Sequence, residues 1–200
     1  MRGAVDPDSL RAALTALLSA PAYSRRFAWD LEESFARLPL PADPALFSRA
    51  ARIGAEIAAL ESFAAAPAER FRTAKLLGRA SAMRLAVPRS QAFQAGADGT
   101  GSLALLPDRS LCLAPLAERV WSFAVSGYEV LPRFLAAREG EALDAALQRA
   151  ILDVAWRIEA LLYWFAEADS LLDAVLAAPL TRACLGIDRL PARAARRKRR

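Results

Sequence analysis

Leu103-Ala104-Leu105-Leu106-Pro107-Asp108-Arg109-Ser110-Leu111-Cys112-Leu113 decides the fold class. Two apolar runs flank Pro107-Asp108-Arg109-Ser110, where proline presets a turn backbone and Asp and Ser can bond to it locally. The spacing predicts a β-hairpin. The hairpin stands in a stretch, about residues 66–138, that lacks a helical period and in which Gly96, Gly99 and Gly101 cluster. Before it, Met83, Leu85 and Val87 alternate with Arg84 and Ala86, the period of a strand. After it, Val120–Val125 reads as another strand, with Trp121, Phe123 and Val125 on one face. Gly127 breaks that strand, and Tyr128–Ala137 reads as a helix with Pro132 in its first turn, where the missing amide does no harm.

Outside this stretch the chain reads as helix. Asp6-Pro7 and Asp8 mark a helix start, after which Leu10, Leu14, Leu17 and Leu18 recur at helical spacing. Pro21 interrupts, and Tyr23–Phe35 reads as a second helix. Leu38-Pro39-Leu40-Pro41 cannot continue it, because each proline lacks the amide donor and clashes with the preceding turn. Asp43-Pro44 opens a third helix with Leu46, Ile53, Ile57 and Leu60 on its inner face. Residues 139–178 read as one long helix, or two joined near Ala168. Leu143, Leu147, Ile151, Val154, Ile158, Leu161 and Phe165 form its apolar stripe, too short for a coiled-coil seam and therefore core. The expected class is α+β, predominantly α-helical. Helices at both ends (7–65 and 139–178) are expected to pack around a small central antiparallel strand region (66–138). Trp121, Phe123, Ile151, Val154 and Ile158 are expected to be buried together.

The charge is unevenly spread. The net charge is +5, yet residues 189–200 alone hold seven bases and no acid. Residues 1–65 carry 7 bases and 8 acids, residues 139–188 carry 3 and 9, and residues 66–138 carry 10 and 5. The part that departs from the helical pattern is thus the positive part of an acidic scaffold, which is how a phosphate-facing surface looks in sequence. The last stretch, Arg189–Arg200, reads as a disordered basic tail.

Several chemistries are excluded. The chain has no histidine, so the commonest general base and metal ligand is missing, and no Ser-His-Asp or Cys-His arrangement can form. Cys112 and Cys184 form no metal-ligand spacing and read as reduced thiols. Gly96, Gly99 and Gly101 do not make a phosphate loop or a dinucleotide fingerprint. Glu32-Glu33, and Asp169 with Asp173, read as solvated helix faces. An adenine-N6 methyltransferase would carry an Asn/Asp-Pro-Pro-Tyr/Phe motif, and this chain has none. No catalytic residue, cofactor or metal site is expected. The polar, acidic N-terminus is unlike a signal peptide, and no apolar run approaches the ~20 residues of a membrane span. A cytoplasmic protein with no membrane partner is expected.

The segment Val120–Arg138 resembles a family signature. Val120-Trp121, Phe123, Val125, Gly127-Tyr128, Val130-Leu131, Phe134-Leu135 and Arg138 follow the pattern Val-Trp-x-(Phe/Tyr)-x-Val-x-Gly-Tyr-x-Val-Leu-x-x-(Trp/Phe)-Leu-x-x-Arg. That pattern is familiar from the C-terminal specificity (target-recognition) domains of type ISP restriction–modification enzymes and related adenine-N6 DNA methyltransferases. Ser19 to Phe27 followed by Leu38-Pro39-Leu40-Pro41 is similar to the family's opening. Arg157 to Leu162 followed by Leu171-Leu172-Asp173 is similar to its closing helix. The resemblance covers about residues 10–178.

It implies a specificity-like domain over residues 1–188 that selects a sequence on double-stranded DNA. In the family such a domain follows a methyltransferase domain. Here the resemblance implies a recognition module that lacks its own catalytic domain and works with a DNA methyltransferase subunit in trans. The alternative is a helical protein-interaction module, or a remnant of a split methyltransferase that no longer binds DNA. Arg and Gln can read guanine and adenine edges with two hydrogen bonds, so Arg79, Arg84, Arg89, Gln91, Arg109 and Arg133 are the candidate DNA contacts. Trp121, Phe123, Gly127, Tyr128, Phe134 and Arg138 are expected to be structural. The aromatics fill a core seam and Gly127 adopts a backbone that a side chain would forbid. Arg138 suits the end of a helix.

Overall fold

A computed structural model describes residues 5–35, 37–80, 82–88, 90–97 and 99–181. Arg89, Cys184 and the basic tail lie outside the described residues. Helices occupy both ends of the chain and a small antiparallel sheet its middle, the α+β arrangement expected. Two compact units result. One takes the residues up to Ala55 together with those from Glu167 on, and the other is Glu56–Ala166. Among the described residues no helix is long and apolar enough to cross a membrane.

The first unit begins with α1 (Pro7–Ser19). The Asp6 carboxylate accepts from the Ser9 amide and hydroxyl at 2.9 Å each, satisfying donors that a helix start leaves open. These bonds hold the Asp6 pKa below the usual carboxylate value. The buried face of α1 is Ala13, Ala16 and Leu17, whereas Leu14 is half-buried and Leu10 and Leu18 are exposed, so only part of the leucine stripe faces the packing. The reason lies in α4 (Pro44–Glu61). A Cβ at Gly54 would stand 1.7 Å from the Ala12 carbonyl oxygen, so the two backbones touch there and only small residues fit between them.

The single helix expected over Tyr23–Phe35 is two, α2 (Pro21–Arg26) and α3 (Ala28–Glu33). The chain leaves helical geometry at Phe27, whose ring packs on the buried Tyr23 with centroids 5.0 Å apart. The last part of α7 (Ala145–Ala177) supplies this unit's counter-charges. Asp169 accepts from the Ala22 amide at 2.7 Å and pairs with Arg25 at 3.3 Å. Asp173 pairs with Arg26 at 3.0 Å, and Glu167 with Arg49 at 2.9 Å. Asp169 and Asp173, read as a solvated face, therefore bind the arginines of α2.

The second unit carries the sheet. β1 (Lys75–Gly78), β4 (Leu111–Ala117), β3 (Thr100–Ala104) and β2 (Phe93–Ala95) lie side by side in that order, all antiparallel. β3 and β4 are the hairpin read from Leu103–Leu113. The Arg109 amide closes its turn on the Leu106 oxygen at 2.9 Å. One face of the sheet buries Leu103, Leu113 and Leu116 against Leu131, Leu135, Ile151 and Ile158, a contiguous apolar core of the kind that drives folding. Trp121 and Phe123 pack against this cluster without being fully buried, and Val125 is exposed.

Two expected strands are absent. Met83–Val87 is extended but forms no strand. Arg84 makes an isolated bridge with Ala142. Leu85 exchanges bonds with Glu141 O and Gly140 N at 2.9 and 2.8 Å. The alternation was real, for Met83 is exposed and Leu85 buried, but the segment's partner is a loop. Val120–Val125 is likewise not a strand. Glu118–Trp121 is a short helix, α5, and a tight hairpin follows, β5 (Ala124–Val125) with β6 (Tyr128–Glu129). Its two turn residues, Ser126 and Gly127, have φ of 51° and 80°, the left-handed pair that matches strand twist in a two-residue hairpin. The helix expected from Tyr128 starts two residues later, as α6 (Val130–Ala136).

Candidate nucleic-acid interface

Gln91 adopts φ of 56°, a conformation few residues other than glycine take without support. Arg109 supplies support. Its Nη1 donates to the Gln91 carbonyl at 3.2 Å and its Nη2 to Ser102 Oγ at 3.1 Å. Arg109 is itself left-handed, φ 58°, and half-buried under the turn. The structure thus brings two of the candidates together and makes one the brace of the other. Cys112 lies beside them, with its Sγ 3.4 Å from the Arg109 oxygen.

Arg84 is exposed and donates from Nη1 to the Gly140 oxygen at 2.6 Å. Arg79 follows β1, is exposed, and has no hydrogen-bond or ion-pair partner among the described residues. Arg133, on α6, lies over the Tyr128 ring at 4.3 Å. Tyr128, expected in the core, is exposed and holds that guanidinium. Arg138 lies 3.8 Å from the Phe134 ring centroid and donates to the Phe134 oxygen at 3.3 Å, serving the last turn of α6.

A second basic group was missed in the sequence. Arg70 lies 4.6 Å from the centroid of Phe71 and 4.8 Å from that of Tyr163. Arg72 stacks toward Trp156 at 5.8 Å while its Nε donates to the Pro67 oxygen at 2.8 Å. The rings that hold Arg70 and Arg72 include residues some 80 to 90 positions away, so no local pattern could reveal them. Within residues 66–138 Arg119, paired with Glu159, is the only described base in an ion pair. Arg70, Arg72, Arg84, Arg109, Arg133 and Arg138 are held by rings and carbonyls, which fix them without cancelling their charge.

Two of the cavities among the described residues of this unit border the segment Val120–Arg138. One, about 590 Å³, is lined by Phe63, Phe123, Val130, Phe134, Phe165 and their neighbours. Glu61 borders it, and loss of water around its carboxyl raises its pKa. The other, about 240 Å³, is lined among others by Pro88, Ala92, Trp121, Pro132 and Glu139. Trp121 is steadied from the side by Phe93, near-parallel at 6.0 Å. Among the described residues no group of three or more His, Cys, Asp or Glu is placed to hold a metal ion.

The signature segment thus builds α5, the β5–β6 hairpin and α6, and its aromatics wall both cavities. Comparison with known proteins agrees with this reading. Among solved structures the chain is similar to a nuclease-deletion mutant of the Type ISP restriction-modification enzyme LlaGI in complex with a DNA substrate mimic. The TM-score is 0.51 and the identity 13%, over 85% of this chain and 14% of that one. At that identity the likeness concerns the fold. The DrdV–DNA complex gives a TM-score of 0.49 and 21% identity over 88% of this chain and 18% of that one. The ATP-dependent Type ISP restriction-modification enzyme LlaBIII bound to DNA gives 0.49 and 13% over 86% and 11%. This chain therefore spans less than a fifth of each of these enzymes. A search of curated proteins finds no match. A family model for the Type ISP C-terminal specificity domain matches residues 2–160. That match covers most of the chain, including the whole sheet and the signature segment, and the chain belongs to the Type ISP C-terminal specificity domain family.

Proposed function

We propose that this chain is a DNA target-recognition module of a restriction–modification or DNA methyltransferase system. It binds double-stranded DNA in the cytoplasm, carries no catalytic site, and acts with a DNA methyltransferase supplied in trans. The observation that carries this reading is the basic surplus of residues 66–138, where among the described arginines Arg119 alone is paired with a carboxylate and Arg70, Arg84 and Arg133 are oriented by rings and carbonyls. Fixed cations attract phosphates from a distance and position a protein on the duplex, and base edges are then read by side chains with paired donors. Arg79, Arg84 and Gln91 are the proposed base readers, joined by Arg89 on sequence grounds. Arg133 contacts the backbone, and Arg109 positions Gln91. Residues 1–188 form the working domain. Residues 189–200 add sequence-indifferent attraction.

The test is selection of a randomised duplex pool by the full chain, with assays for methyl transfer from S-adenosylmethionine and for cleavage. A recurrent sequence should be enriched, and neither reaction should occur with the chain alone. Enrichment of no sequence, or methyl transfer abolished by a point change in this chain, overturns the reading. A protein-interaction module is the second reading. The exposed Phe63 and Val125 at the 590 Å³ cavity favour it.

A further inference from the structure

We propose that the cavity of about 240 Å³ beside Trp121 is a seat for one unstacked nucleobase held by a hydrogen bond to Glu139. The proposal rests on the DNA-recognition reading above and deepens it. The cavity is smaller than the roughly 300–1,000 Å³ of pockets that take drug-sized ligands. It has room for one ring system and not for a dinucleotide. Its lining is mostly apolar and includes the Trp121 indole and the rings of Pro88 and Pro132. Aromatic faces accept any base by stacking, and Phe93 holds the indole in place.

What surrounds the cavity argues for a nucleic-acid base over an apolar side chain of another protein. Arg84 bonds to the Gly140 oxygen, the residue after Glu139 in the lining. Gln91 directly precedes Ala92 in the lining. Arg84 is in no ion pair among the described residues, so beside Glu139 the chain offers a cation to a phosphodiester backbone. One feature of the lining opposes that attraction. Glu139 brings an exposed carboxylate that has no hydrogen-bond or ion-pair partner among the described residues. A carboxylate on a phosphate-facing surface weakens binding unless it meets a donor. A carboxylate only accepts hydrogen bonds, so the matching group is an edge N–H of an unpaired base, an amino group or a ring N–H, which each of the four bases carries.

A base enters such a seat at least cost when it is already unpaired, because the pairing and stacking energy need not be spent. The experiment uses the full chain and a duplex recovered from the random pool, with a single mismatch placed at each position in turn. Mismatches at contacted positions should weaken binding. At one position an unpaired base should tighten it about tenfold, a gain of ~1.4 kcal/mol, while an abasic residue gives no gain. Ala136→Trp fills the cavity from an exposed position at the end of α6 and should abolish the gain. Glu139→Leu removes the acceptor and should reduce the gain. If the duplex binds and no position shows a gain, or the gain survives Ala136→Trp, or an abasic residue serves as well, the seat is refuted while DNA recognition stands. Displacement of the duplex by dGMP alone would mark a free-nucleotide site and also refute it. If no duplex binds under any condition, DNA recognition fails and the seat fails with it.

Discussion

Arg157 shows how much a single residue can do without advertising it. It is the buried charged side chain of the described residues, 8% exposed. Its Nε donates to Asp153 at 2.6 Å, and its Nη1 donates to the oxygens of Leu60 and Ala65 at 3.0 and 2.8 Å. Its guanidinium lies 4.2 Å from the Phe63 ring centroid. It therefore bonds the Leu60 carbonyl in the last turn of α4 and the Ala65 carbonyl in the loop beyond it. Arg157→Met should cost about 2–4 kcal/mol in urea unfolding, since it strands two acceptors and a carboxylate, and Arg157→Lys should recover only part of that. A loss below 0.5 kcal/mol would show that water replaces the guanidinium. The sequence placed Arg157 in a family-like helix, but its carbonyl partners are 97 and 92 positions away, beyond any local pattern. Glu61 gives a pH test of the same region. Its pKa is raised by loss of water, so its ionised form opposes folding. That opposition is absent below the unfolded pKa and grows as pH rises through the folded value. Glu61→Gln should therefore gain stability over the parent at neutral pH and lose that advantage in acid. An advantage independent of pH would point to a cause other than charge.

At the scale of elements, what could be read was what the local chain decides. The hairpin of β3 and β4 was legible because Pro107-Asp108-Arg109-Ser110 carries its own turn chemistry. The long helix α7 was legible because its stripe persists for six turns. The segments at 83–87 and 120–125 were misread because a period of two gives an extended backbone and does not supply a partner strand. Ser126-Gly127 was the better signal, and it drew residues 124–129 into a hairpin. Gly127→Ala should cost about 1 kcal/mol through its φ of 80°, with Ser126→Asn neutral or favourable. Circular dichroism melts of both variants test this, and an unaffected Gly127→Ala would show that the hairpin does not contribute. The α1–α4 packing could not be read from leucine spacing because backbone contact at Gly54 sets it. With an added Cβ 1.7 Å from Ala12 O, Gly54→Ala should cost at least ~1–3 kcal/mol by forcing the helices apart. Unchanged urea stability would mean that α1 shifts freely on α4.

At the scale of the whole molecule the informative quantity was where the charge sits, not its total. The net of +5 conceals a tail with seven bases and a central stretch in which, among the described residues, only Arg119 has a carboxylate partner. The sequence located the central charge. It did not reveal that Arg109 braces Gln91, nor that Arg70 is held by rings from α7. The two sources of charge act differently on DNA. The tail binds any polyanion by releasing counterions, with a steep salt dependence. Selection among sequences needs an ordered surface that presents donors to base edges. The most direct test is competition binding at two salt concentrations, with a protein ending at residue 188 and any partner methyltransferase present. We expect deletion of the tail to weaken binding about equally on all duplexes and to flatten the salt slope. We expect Arg84→Ala in the shortened protein to cost ~1–3 kcal/mol on the preferred sequence and much less on random DNA. A shortened protein that keeps no affinity for any duplex, or that binds every duplex alike, would contradict target recognition by this chain.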